Sequence, residues 1–78
     1  RLNNSDLKGN MEDAKKQKKA INAEIDRLEA TFEENRREML RLADDNKRTS
    51  GRYGELLEDN HRINERIHTL LEQMWKLD

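Results

Sequence analysis

Residues 42–56 read LADDNKRTSGRYGEL, and whether a helix passes through them decides the fold. Gly51 and Gly54 each cost about 1 kcal/mol relative to alanine in a helix interior. Asn46, Thr49 and Tyr53 make a poor apolar stripe. Yet these three positions keep the spacing that joins Leu42 to Leu56. A turn that folds the chain back as a helical hairpin has no physical reason to preserve that phase. The spacing therefore predicts one continuous helix, softened over 46–54.

Outward from this stretch the same alternating steps of four and three residues run in both directions. Towards the N-terminus they pass through Met39, Asn35, Phe32, Leu28, Ile25, Ile21, Lys18, Ala14, Met11 and Leu7. Towards the C-terminus they pass through Asn60, Ile63, Ile67, Leu70, Met74 and Leu77. A sustained sevenfold apolar repeat is the a/d seam of a coiled coil, kept buried by winding on another helix. Residues 1–10, RLNNSDLKGN, are weak helix formers and predict a frayed or weakly helical start; residues 11–78 predict the continuous coiled-coil helix.

Composition agrees. With 42% charged and 32% hydrophobic side chains in 78 residues, one chain alone has little to bury. Proline and cysteine are absent, so no thiol-based metal site and no disulfide staple exist. The formal net charge of -1 gives no electrostatic case for nucleic acid or an anionic membrane. No run of about 18 apolar residues is present to span a bilayer. The chain starts with arginine and stops in mid-pattern, which predicts a piece of a longer protein, cytoplasmic in the absence of a targeting segment.

Leucine or isoleucine fills most d positions, and Asn46 and Asn60 occupy a positions. An a-position asparagine trades stability for register and a two-stranded state. Lys18 at a has a stem that packs while its ammonium reaches water. These features favour a parallel homodimer. The flanks do not help it: Glu24–Glu29 would repel, and Arg52–Leu57 and Arg66–Leu71 are not ionic. Antiparallel or heteromeric pairing stays open. Asn35 at d has no account in any arrangement.

Candidate functional residues are few. Leu57 and Leu71 at e and Trp75 at b widen the apolar surface of 56–77 into a face for a protein partner, with Trp75 as anchor. His61 and His68 are about 10 Å apart along a helix, too far for one tetrahedral metal. The cluster KKQKK at 15–19 is far sparser than a basic region that reads DNA, so nucleic acid is a distant alternative. Ser50 follows two basic residues in KRTS, the context of a phosphosite. No nucleophile–base arrangement or cofactor motif is present, and a rod offers no pocket to tune one, so no enzyme activity is expected.

The sequence thus predicts an all-α fold, one long helix per chain in a two-stranded coiled coil. The first function it suggests is a structural rod that dimerises and spaces a larger protein of cytoskeletal, motor, centrosomal or tethering type. The second is an adaptor that recruits a protein through Leu57, Leu71 and Trp75.

Overall fold

The chain reverses at the stretch quoted above. A computed structural model describes residues 4–77, with side chains from Glu12 to Leu77, as two α-helices and no strand among the described residues. Helix α1 spans Asn4–Asp44 and helix α2 spans Gly51–Leu77. They lie antiparallel in a rod of 64 × 15 × 14 Å. The expected single helix over 11–78 is therefore corrected to two helices that pack on each other.

The reversal has a local cause in the side chains of 45–50. Lys47 N–H donates to Leu42 C=O at 2.7 Å and Asn46 N–H to Ala43 C=O at 3.0 Å. This pair of bonds is the Schellman motif, which satisfies carbonyls that a helix end would leave bare. It needs a left-handed residue, and Asn46 supplies it with φ 60°. Asparagine tolerates that region better than other side chains with a Cβ. Four residues later Ser50 caps α2: Tyr53 N–H donates to Ser50 Oγ at 3.2 Å, the N-cap to N3 bond. Between a C-cap asparagine and an N-cap serine the chain has just enough length to turn. Replacing Ser50 with alanine is expected to destabilise the hairpin by about 1 kcal/mol, read as a lower melting midpoint by circular dichroism.

Gly51 and Gly54 are not the turn residues. Both lie inside α2, neither has a positive φ, and a Cβ added at either meets nothing within 4 Å. They weaken the start of α2 without shaping the bend.

The seam expected between two chains is filled within one. Leu56 and Leu70 are 1% exposed, and Ile25 and Ile63 are buried beside them. Ala14, Lys18, Ile21, Leu28, Phe32, Asn35, Met39, Leu42, Tyr53, Ile67, Met74 and Leu77 are half-buried. Two helices cover each seam side chain from one side only, so half-burial is the rule along the rod. Asn46 and Thr49 are exposed: at the bend the stripe leaves the interface. The side chains of Leu7 and Met11 lie outside those described.

Asn60 is buried, and the partner it finds explains Asn35. Asn35 Nδ2 donates to Asn60 Oδ1 at 3.0 Å, and Asn60 Nδ2 donates to the carbonyl of Phe32 at 3.3 Å. A polar layer of this kind is satisfied in one register only, because a slipped seam would bury the amides unpaired. Extending the register in both directions sets Phe32 level with Ile63, Leu28 with Ile67, Ile25 with Leu70 and Met39 with Leu56.

Candidate protein-interaction surface

One edge of the rod is ionic. Arg66 reaches across to Glu24 with Nε–Oε2 at 2.8 Å and Nη2–Oε1 at 3.4 Å. Fourteen residues away on each helix, Arg52 grips Glu38 in the same two-pronged way, at 3.0 and 3.1 Å. All four are g positions of the heptad. In an antiparallel pair g faces g, so these arginines and glutamates meet; in a parallel pair g faces e and they do not. The planar guanidinium fork matches a carboxylate, which makes the geometry specific even at a wet surface.

The hydrogen bonds from Arg66 and Arg52 hold the Glu24 and Glu38 carboxyls below their ordinary value of 4.5, and slight desolvation opposes the shift. Both carboxyls thus hold a proton less readily in the folded state than in the unfolded one. Their contribution is fully present above about pH 4.5 and is lost as pH falls through the lower folded values. Melting midpoints are expected to stay level from pH 7 to about 5.5 and to decline below about 4.5. Arg52→Gln with Arg66→Gln should flatten that acid limb; an unaltered limb in the double variant would deny the bridges any role.

The opposite edge is apolar and open. Leu57 is 56% exposed, Leu71 42% and Trp75 77%. With His61, Asn64 and His68 they recur on α2 at steps of four and three, beside the buried seam. Leu40, 52% exposed, lies on α1 towards the bend. Between the helices on this edge lies a groove of about 570 Å³, lined by Phe32, Arg36, Met39, Leu57, His61 and Asn64. The whole chain exposes 6464 Å², against about 5,000 Å² for a compact monomer of 9.3 kDa. The excess is the cost of a rod shape, and covering it with another protein surface would recover apolar burial.

The remaining sequence candidates scatter. Lys15, Lys16 and Lys19 are exposed on α1 near the end remote from the bend. His61 bonds to Glu65 at 3.0 Å along the same helix. No cluster of three or more His, Cys, Asp or Glu placed to hold a metal occurs among the described residues, and no described helix is long and apolar enough to cross a membrane. Ser50 is half-buried and already occupied as the cap of α2. A phosphate there would meet the positive end of a helix dipole, not a seam flank. Sequence reasoning missed the cap pair Asn46 and Ser50 and the bridges Glu24–Arg66 and Glu38–Arg52. Sorting the heptad's g positions for antiparallel partners would have found the bridges. No family model matches the chain, and no curated protein or solved structure matches it either.

Proposed function

We propose that this chain is a structural coiled-coil segment, an arm that sets distance and pairing within a larger protein of cytoskeletal, motor, centrosomal or tethering type. The register-fixing Asn35–Asn60 layer carries this reading. A polar layer costs stability and is useful where the alignment of two helices matters. The two forked bridges on one edge work to the same end. An arm of this design turns the chain back along α1 for about 40 Å, so that Leu77 lies level with Lys18, about 20 Å from Asn4 along the rod. Fluorescent proteins fused before Asn4 and after Leu77 should therefore exchange energy strongly, and unfolding the arm should abolish the transfer. Equal transfer in folded and unfolded arms would remove the structural role.

The exposure of Leu57, Leu71 and Trp75 favours a second reading, recruitment of a protein partner to the apolar edge. Trp75 is the sole tryptophan, so its emission reports that edge directly. Docking should shift the emission to shorter wavelength, and Leu71→Ala should weaken the response. A tryptophan that stays water-exposed with every candidate partner would leave the arm purely structural.

A further inference from the structure

We propose that the hairpin opens at residues 45–50 and re-pairs with a second copy, giving an antiparallel, helix-exchanged dimer in which each chain is one unbroken helix. The occupant of α1 in that state is α2 of the other copy. The inference rests on the antiparallel coiled-coil reading above and goes beyond it.

The first ground is the phase that crosses the bend. In the hairpin Asn46 and Thr49 are exposed and take no part in the seam. A loop constrained only by its own turn could have any length that closes. This one holds Leu42, Asn46, Thr49, Tyr53 and Leu56 in strict heptad step. That spacing has a use only where the helix runs straight through.

The second ground is symmetry. Facing partners in an antiparallel pair stay facing partners when the second helix comes from another copy. Glu24–Arg66, Glu38–Arg52 and Asn35–Asn60 would each form twice about a two-fold axis, as an isologous interface requires. The axis falls between Asn46 and Thr49, which would meet Thr49 and Asn46 of the second copy. Nothing in the interface has to be redesigned.

The third ground is the hinge. The bend is held by two helix-end bonds around a left-handed Asn46 and by the Ser50 cap. Straightening removes these and gives back ordinary helical bonds and an unstrained Asn46. The chain contains no proline to forbid it. Short hinge segments of this kind are where exchange of identical elements occurs. Since the contacts are the same in both forms, concentration and the hinge decide the balance. One local feature opposes the dimer: Asp45, at g, would face its own copy across the axis.

The test uses the cysteine-free background. Gln17 and Gln73 line one groove between the helices. Gln17→Cys and Gln73→Cys, made in separate chains, mixed at high concentration and oxidised, should give a disulfide-linked pair containing one chain of each kind. Ser50→Ala removes a cap that only the hairpin uses and puts a strong helix former where the straight helix would run; it should raise the yield several-fold, as should Asp45→Asn. Asn46→Gly favours the left-handed bend and should lower it several-fold. Only single-chain mass by light scattering at millimolar concentration, in the Ser50→Ala chain with helical circular dichroism, would overturn the exchange. Gln17→Cys chains that link to each other would also overturn it, since that marks a parallel pair. A chain carrying both cysteines should close on itself when dilute. Its failure to close would indict the antiparallel seam itself and, with it, the exchange.

Discussion

Leu70→Ala should leave little folded hairpin at room temperature. Leu70 is 1% exposed on a rod in which only four apolar side chains are buried among the described residues. Truncating a buried leucine removes its transfer free energy and leaves a gap, together about 2–5 kcal/mol. A chain of 78 residues has a total stability of about 4–12 kcal/mol at ordinary values per residue, and a two-helix rod belongs near the bottom of that range. One leucine therefore decides whether the fold persists. Urea unfolding followed by circular dichroism would show the loss. Leu56→Ala should match it, since Leu56 is buried to the same degree. Leu57→Ala, one residue along and 56% exposed, should change stability by less than about 0.5 kcal/mol. If Leu70→Ala and Leu57→Ala melted alike, the seam assignment would be wrong.

The second large effect concerns specificity as well as stability. Asn60→Leu alone should destabilise by about 1–3 kcal/mol, because it strands Asn35 without the oxygen it now donates to. Asn35→Leu with Asn60→Leu should do the reverse and raise the melting midpoint above that of the parent chain. A satisfied polar layer is commonly worth less than well-packed leucines. The gain should come with a loss of uniqueness, seen as mixed oligomers in light scattering and broadened amide resonances. A double variant that melts lower than Asn60→Leu, or that stays strictly of one mass and one alignment, would show that the amide pair does not set the register.

Why the register has one answer can be followed through Glu24, Glu38, Arg52 and Arg66. Considered as a parallel pair, these residues have no attractive partners along the sequence: Glu24 falls against Glu29, Glu38 against Ala43, and Arg52 and Arg66 against leucines. Folded antiparallel, each arginine meets one glutamate. The same holds for Asn35, an anomaly at d until Asn60 lies beside it. The information was present in the chain. It could be used only once helix direction was chosen.

From the sequence alone came the helical class, the seam and its phase, and the apolar edge of Leu57, Leu71 and Trp75. These follow from side-chain periodicity, which one helix displays whatever it later packs against. Helix direction, the reversal at 45–50 and the pairing of Asn35 with Asn60 were settled in three dimensions. They depend on a contest between continued helix and the caps at Asn46 and Ser50. That contest is close, because a bend costs only a few local bonds while it brings α2 to α1 at no loss of a second molecule's freedom. Against a lone straight helix, tertiary burial of Leu56 and Leu70 tips it towards the bend.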